Sequence, residues 1–183
     1  MIRIPFAFAV AMCATAAACS DRRASDAAGS RPAADATPPR VGIDGYGRLR
    51  IGMSASAARA ALGAAWSDSG AGRGDACRHV RIAEAGSTMR AMLVGETVAR
   101  IEVDSGGILT DRGARVGDSE ARVDSLYRGL VRVEPHKYTD GNYLVVTPGA
   151  DTTRRIVFET DGQRVTRYRA GRTPEVEWVE GCS

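Results

Sequence analysis

Aromatic residues and histidines are scarce in this chain of 183 residues, which has two Trp, five Tyr, three Phe and two His. His79 and His136 are therefore the only side chains with an ordinary pKa close to neutral pH. The chain contains neither a HExxH nor a CxxC motif, and its glycine-rich stretches lack the Lys-Ser/Thr of a phosphate loop. These absences point away from an enzyme, and they predict neither a metal site nor a cofactor.

The charges do not form a block of one sign. The chain has 25 basic and 22 acidic residues, and its formal net charge is +3. Arginines alternate with Asp and Glu along the chain, a pattern typical of a solvated surface of mixed charge. The sequence therefore predicts no nucleic-acid partner. Beyond the first 18 residues no long apolar run occurs, so no transmembrane helix is predicted either.

The N-terminal segment holds the long apolar run and predicts export. Arg3 supplies a positive charge, residues 4–18 are mostly apolar, and three alanines stand directly before Cys19. This end resembles the bacterial lipobox, with Ala16 at the position usually held by Leu. The resemblance implies that residues 1–18 are a removed signal peptide and that Cys19 carries acyl chains such as palmitate, which anchor it stably in a membrane. Ordinary secretory cleavage before Cys19 is the alternative.

The residue after the cysteine bears on which membrane would hold the protein. By resemblance to the sorting rule of Gram-negative lipoproteins, Ser20 favours the outer membrane, with the protein facing the periplasm. Residues 19–41 are then the acylated cysteine and a disordered tether. The tether is built from Ala, Ser, Asp, Arg, Gly and Pro, and such a composition cannot bury enough surface to fold. About twenty flexible residues span roughly 25 Å.

Two further cysteines lie in the remainder of the chain. If Cys19 is acylated, Cys77 and Cys182 form an even pair, and an oxidising compartment permits a disulfide between them. Closing a loop of about a hundred residues stabilises a fold by roughly 4 kcal/mol in the chain-entropy model. The alternative is a reactive thiol, for which the sequence shows no neighbouring base.

Two similar short motifs open two predicted helices. Each consists of a basic residue, an aliphatic residue and a glycine, followed by a residue that can cap a helix. A glycine that can adopt positive φ then closes each helix. The capping residue is Ser54 in the first copy and Asp118 or Ser119 in the second, and the closing glycines are Gly63 and Gly129.

Short apolar segments of strand type follow each helix. The predicted strands cover 77–82, 89–94 and 98–103 in the first copy and 130–133, 143–147, 155–159 and 165–169 in the second. Helices this short need a sheet to pack on. The sequence therefore predicts an α+β domain of two similar helix-plus-antiparallel-sheet repeats, 42–106 and 107–183.

This pattern resembles the tandem repeats of the β-lactamase-inhibitor-protein and BamE-like group of small exported bacterial proteins, in which a Gly-Met-Ser-type turn opens each helix. Gly52-Met53-Ser54 matches that turn, whereas the second copy has Asp118 in place of Met. The resemblance implies a concave antiparallel sheet that binds another macromolecule. Residues 135–138 and 178–182 also resemble uncharacterised proteobacterial lipoproteins described as lectin-like, although no sugar-binding motif supports that description.

One group of residues combines ring faces with hydrogen-bonding tips near a predicted turn. Such a group can stack on a sugar or anchor a protein partner, although a solvated hairpin is the alternative. Its members are His136, Lys137, Tyr138 and Tyr143, with Trp178 as a core residue or a further contact. The predicted function is that of a membrane-anchored, non-enzymatic binding module for an envelope protein; the alternative is a lectin-like or peptidoglycan-binding lipoprotein.

Two pairs of carboxylates are candidates for catalytic acids and bases. Glu102 with Asp104, and Glu175 with Glu177, share a face if their segments are extended strands. Such pairs catalyse proton transfer when burial separates their pKa values. Exposed strand carboxylates facing arginines are the commoner arrangement, and the sequence favours that interpretation for both pairs.

Overall fold

The fold is dominated by antiparallel β-structure. The computed structural model describes residues 38–72, 76–84, 87–149 and 151–182. Residues 1–37, with the predicted leader, Cys19 and most of the predicted tether, lie outside this part of the chain. Within it, the regular elements are three two-residue strands, eight longer strands and two short α-helices, supplemented by two short 3-10 turns.

The elements follow one another along the chain in this order. They are β1 (Val41–Gly42), β2 (Gly45–Tyr46), β3 (Leu49–Arg50), α1 (Ala55–Leu62), β4 (Trp66–Gly72), β5 (Cys77–Glu84), β6 (Ser87–Val94), β7 (Thr97–Ser105), α2 (Glu120–Leu126), β8 (Val131–Pro135), β9 (Asn142–Val146), β10 (Arg154–Thr160) and β11 (Val165–Arg172).

The eight longer strands form a single sheet in the order β4-β5-β6-β7-β11-β10-β9-β8. Neighbouring strands are antiparallel throughout, and the centre of the sheet is the pairing of β7 with β11. In that pair Glu102 lies opposite Arg169, and Arg100 lies opposite Gly171. The three two-residue strands form a separate small sheet in the order β1-β2-β3.

The predicted fold class is wrong. The protein is mostly β, with one eight-stranded and one three-stranded antiparallel sheet, and not an α+β domain of two helix-plus-sheet repeats. The two helices have only eight and seven residues. The strands predicted in the two halves belong to one sheet, joined through β7 and β11, and they make up most of the fold. The two helix-opening motifs begin real helices, but these helices are too short to set the fold class.

The helix boundaries follow from local capping. The Ser54 hydroxyl accepts a hydrogen bond from the Ala57 N–H at 3.3 Å, and the Ser119 hydroxyl accepts one from the Arg122 N–H at 3.2 Å. Of the two candidates at the second helix, Ser119 is therefore the N-cap. Gly63 closes α1 with a φ of 54°, a conformation that glycine adopts without a steric penalty.

The alternation of the strands separates the sheet into two different faces. The first, called the core face, carries the main apolar cluster; Ile82, Ile101 and Phe158 are among its buried residues. Helices α1 and α2 and the small sheet contribute to the same cluster, for example through Ala58 and Val123. The opposite face carries most of the buried charges and is called the charged face. Side chains one position apart in a strand point to opposite faces, which explains this division.

The C-terminal segment lies on the charged face. Residues 174–182, called the strap, follow β11 and include a short 3-10 turn at Glu175–Glu177. A disulfide joins Cys182 of the strap to Cys77 at the start of β5, as the sequence predicts. No helix of the described ranges is long and apolar enough to cross a membrane.

Candidate functional site

Buried charged residues lie on the two central strands of the sheet. Arg100 and Glu102 of β7 are 4% and 7% exposed, and Arg169 of β11 is 4% exposed. Glu159 of the neighbouring strand β10 is 6% exposed. Burial of a charge is costly unless the charge is paired and hydrogen-bonded, so each of these groups depends on a partner.

The first set of partners surrounds Glu102. Arg100 donates from Nε to Glu102 Oε1 at 2.6 Å, and His79 Nε2 lies 3.3 Å from the same oxygen. Arg90 reaches the other oxygen, Oε2, at 3.1 Å, and also binds Asp104 Oδ2 at 2.7 Å. Glu102 therefore accepts contacts from three different strands, which fixes its position in the sheet.

The second set surrounds Glu159. Arg169 forms a close hydrogen bond to Glu159 Oε1. His136 Nε2 and Arg167 Nε lie 3.6 Å and 3.5 Å from Glu159 Oε2. Each buried glutamate thus meets one histidine and one buried arginine, so two similar His–Glu–Arg groups stand side by side on the charged face.

The pKa values of the first group follow from its geometry. Burial alone would raise the pKa of Glu102, but the hydrogen bond from His79 and the attraction of Arg100, His79 and Arg90 outweigh it and hold that pKa well below its usual range. Burial lowers the pKa of Arg100, although the attraction of Glu102 opposes this change. Glu102 is therefore a charged, structural carboxylate at neutral pH rather than a proton donor.

The same arginines hold the strap. Arg100 donates from Nη1 to the main-chain carbonyl oxygens of Glu175 at 2.8 Å and of Trp178 at 2.6 Å. Arg169 donates from Nε to the carbonyl oxygen of Val176 at 2.5 Å. Because each guanidinium binds a carboxylate and the strap at once, the charged face and the strap form one bonded unit.

Two clefts open between the strap and the charged face. The main cleft and the solvent at its mouth occupy about 480 Å³, and the second cleft, counted in the same way, occupies about 430 Å³. Arg169 and Val179 line both clefts. The mouth of the main cleft includes Arg167 and Glu180, whose side chains are 53% and 59% exposed. Side chains of opposite charge are thus exposed to solvent at the rim, whereas the charged groups inside the cleft are mostly paired with one another.

Four of the five predicted ligand-binding residues lie together. The His136 and Tyr143 rings are stacked with centroids 4.5 Å apart, and Lys137 Nζ lies 4.9 Å from the centre of the Tyr138 ring. The Tyr138 hydroxyl forms a close hydrogen bond to Glu180 of the strap. Tyr143 is only 6% exposed, and its ring is covered by His136 and by the Arg169 guanidinium at 5.8 Å.

The interpretation of Trp178 as a core residue is wrong. Trp178 is 38% exposed, and it follows a 3-10 turn rather than lying in a strand. For the same reason Glu175 and Glu177 are not a same-face strand pair: the first binds Arg172 at 2.7 Å and the second lies 3.6 Å from Arg155. The bonds from Arg100 and Arg169 to the carbonyl groups of the strap hold this segment away from the geometry of a strand ladder.

The buried arginines and Glu159 were missed by sequence reasoning. Glu102 and Asp104 were recognised as sharing one face of β7, and both do bind Arg90. The pairing of Glu102 with Arg100 was not predicted, because charged residues are rarely fully buried. A usable signal was present: Arg100 alternates with Glu102 in β7, and Arg167 alternates with Arg169 in β11, so each pair shares one face of its strand. In the described part of the chain, no group of three His, Cys, Asp or Glu residues is placed to hold a metal ion.

Comparisons with known proteins add little to this geometry. No protein-family model matches the chain, and no curated protein matches it. A cysteine-rich secretory protein from Staphylococcus aureus is among the similar solved structures, with 6% sequence identity and a TM-score of 0.46. The similarity covers 73% of this chain and 48% of that one, so this chain spans about half the length of that protein. The resemblance to the BamE-like group stays a prediction.

Proposed function

We propose that the protein is a lipoprotein of the bacterial cell envelope, anchored through Cys19, whose charged face binds an envelope protein without catalysing a reaction. The observation that carries this proposal is the pair of clefts between the strap and the charged face, bordered by exposed ionic groups of both signs. Protein partners with complementary charges are recognised at such rims, while the buried core of a contact supplies most of the affinity.

The chemistry of the cleft supports binding rather than reaction. Glu102 is held in its charged form by Arg100, His79 and Arg90, so it is unsuited to proton transfer near neutral pH. The leader-like N-terminus and the Cys77–Cys182 disulfide agree with an oxidising compartment outside the cytoplasm. Outer-membrane placement, based on Ser20, is part of the proposal.

The carbohydrate alternative has less support from the geometry. Sugar stacking needs an open ring face, and the Tyr143 ring is buried between His136 and Arg169. Tyr138 and Trp178 keep exposed surface, at 59% and 38%, but nothing in the described contacts arranges them as one platform. We therefore favour a protein partner.

The test uses a matched pair of variants in native membranes. The partner is first captured by crosslinking to the wild-type lipoprotein and identified, and its affinity is then measured for Arg167→Gln and Arg122→Gln. Arg167 lies in the main cleft, whereas Arg122 is exposed on α2 above the core face. Loss of a rim charge should weaken binding by about tenfold for Arg167→Gln and leave Arg122→Gln unchanged. Equal effects of both substitutions would contradict the proposal.

A further inference from the structure

The strap is held to the charged face in two different ways along its length. Residues 174–178 are bonded by buried groups: Arg100 binds the carbonyl oxygens of Glu175 and Trp178, and Arg169 binds that of Val176. Val176 itself is fully buried in a small apolar cluster with Tyr143, Val145 and Val157. This half of the strap is therefore an integral part of the fold.

The second half of the strap is attached through Val179, Glu180 and Cys182. Val179 is partly buried and packs against the same apolar cluster. Glu180 meets Lys137 and Tyr138 through side chains that are largely exposed, where ionic contacts contribute little. The Gly181 N–H bonds within the strap, to the Trp178 carbonyl oxygen at 3.4 Å. Cys182 is 7% exposed and is covalently joined to Cys77. The disulfide is thus the strongest attachment described for residues 179–182.

The same residues cover the main cleft. Val179, Glu180 and Gly181 line it from the side of the strap. Gly181 has a φ of 63°, and a Cβ built at this position would be 3.1 Å from His79 Cε1 and 3.2 Å from Arg100 Nη2. Gly181 therefore lies directly against the His79, Arg100 and Glu102 group. Any movement of residues 179–182 away from the sheet would uncover that group.

We propose that residues 179–182 are a lid whose closure depends on the Cys77–Cys182 disulfide, so that reduction opens the main cleft while residues 174–178 stay in place. The idea that the lid controls access to the binding site rests on the proposed function. The movement of the lid itself does not require a partner. It gives the disulfide a role beyond stabilising the fold.

The chemical step is a thiol–disulfide exchange with a dithiol reductant. A thiolate of the reductant attacks one sulfur of the pair, and the Cys77–Cys182 bond breaks. After the second thiol of the reductant has reacted, Cys77 and Cys182 are both thiols and the reductant carries a disulfide. Two electrons and two protons pass to this protein, and no other reactant is required.

The experiment compares the full chain in its oxidised form, the dithiol-reduced form and the double variant Cys77→Ser/Cys182→Ser. Hydrogen exchange is followed by mass spectrometry on peptides covering 174–178 and 179–182. Opening of the lid should raise the exchange rate of 179–182 by about tenfold or more and leave 174–178 within about twofold. Glu180→Gln, which keeps the disulfide, is the matched control and should behave like the oxidised wild type.

A second measurement uses the two histidines as internal probes. Diethyl pyrocarbonate should modify His79 faster once the lid opens, because Gly181 no longer covers its ring. His136, which is stacked on Tyr143, should keep its rate. No change at His79 on reduction would overturn the lid, and so would equal release of both halves of the strap or loss of the whole fold. Because neither readout involves a partner, failure of the lid is distinguishable from failure of the proposed function.

Discussion

Glu102 and Arg169 face each other directly across β7 and β11, yet their described bonds go to different partners. Glu102 is bonded by Arg100, His79 and Arg90, whereas Arg169 is bonded to Glu159. Two opposite charges at the centre of the sheet are thus each compensated by a separate group. The centre of the charged face is therefore neutralised in pairs, so the loss of one member leaves its buried partner uncompensated.

Replacement of Glu102 should change the dependence of stability on pH. Its pKa is lower in the folded protein than the ordinary value of about 4.3 expected for an unfolded chain. The unfolded state therefore binds more protons in acid, so the stabilisation is fully present above the unfolded pKa and is lost as pH falls below about 5 toward the folded pKa. Urea unfolding of wild type between pH 7 and pH 3 should show this loss.

Glu102→Gln should weaken that acid-side slope and lower the free energy of unfolding at pH 7. Breaking one side of a buried ion pair costs roughly 3–5 kcal/mol, since it leaves Arg100 without its charged partner. Glu134→Gln is a suitable control, because the ion pair between Glu134 and Arg132 involves partly exposed side chains. Equal slopes for Glu102→Gln and wild type would contradict the assignment of the pH dependence to Glu102.

Gly171→Ala should destabilise the protein strongly, because there is no room for a Cβ atom between β11 and β7 at this position. A Cβ at Gly171 would lie 2.4 Å from Arg100 Cβ and 2.5 Å from the Ala99 carbonyl oxygen, so β7 and β11 would have to separate. Overpacking of this kind costs about 1–3 kcal/mol or more. Gly107→Ala, where nothing lies within 4 Å of the added atom, should change the free energy of unfolding by less than about 0.5 kcal/mol. Thermal unfolding measures both.

Ser119→Ala should remove the N-cap of α2. The lost hydrogen bond to the Arg122 N–H costs about 1 kcal/mol of unfolding free energy. Ser125 lies in the same helix and donates to the Arg122 carbonyl oxygen at 2.8 Å, so Ser125→Ala is the matched control with an expected effect near zero. Urea unfolding measures both variants. A larger loss of unfolding free energy for Ser125→Ala than for Ser119→Ala would contradict the assignment of Ser119 as the N-cap.

Cys19→Ala should release the protein from the membrane. Acyl chains on Cys19 would hold wild type in the membrane pellet, because two or more chains give stable anchoring. The variant should instead be recovered in the periplasmic fraction, with its signal peptide processed differently. Cell fractionation followed by intact-mass measurement distinguishes the two forms. Membrane pelleting of Cys19→Ala equal to that of wild type would argue against the lipid anchor.

The sequence was sufficient for the elements whose side-chain pattern is local. Seven strands and both helices lie within a few residues of their predicted positions, since each strand contains a short run of apolar residues, as at Ile156 and Phe158, and Ser54 and Ser119 cap the helices. Strand β4 was missed because the sequence of residues 66–72 contains no such run, and its pairing with β5 supplies the order.

The arrangement of the strands and the candidate site depended on contacts distant in sequence. The pairing of β7 with β11 joins Glu102 to Arg169, a relationship that no local pattern encodes. The position of Trp178 depended on Arg100, which binds its carbonyl oxygen from a strand 78 residues earlier. Fold class and buried charges were therefore the parts that sequence reasoning could not supply.

The contacts of Arg100 and Arg169 with carbonyl oxygens bear on how freely the strap can vary. A guanidinium binds a peptide carbonyl whatever side chain the residue carries, so saturation mutagenesis should find wide tolerance at Trp178, whose carbonyl oxygen Arg100 binds, and at the exposed Glu177. Val176, enclosed on all sides, and Gly181, pressed against an imidazole, should accept almost no replacement. A segment that is bound through its main chain should therefore show positions that tolerate most substitutions beside positions that tolerate almost none.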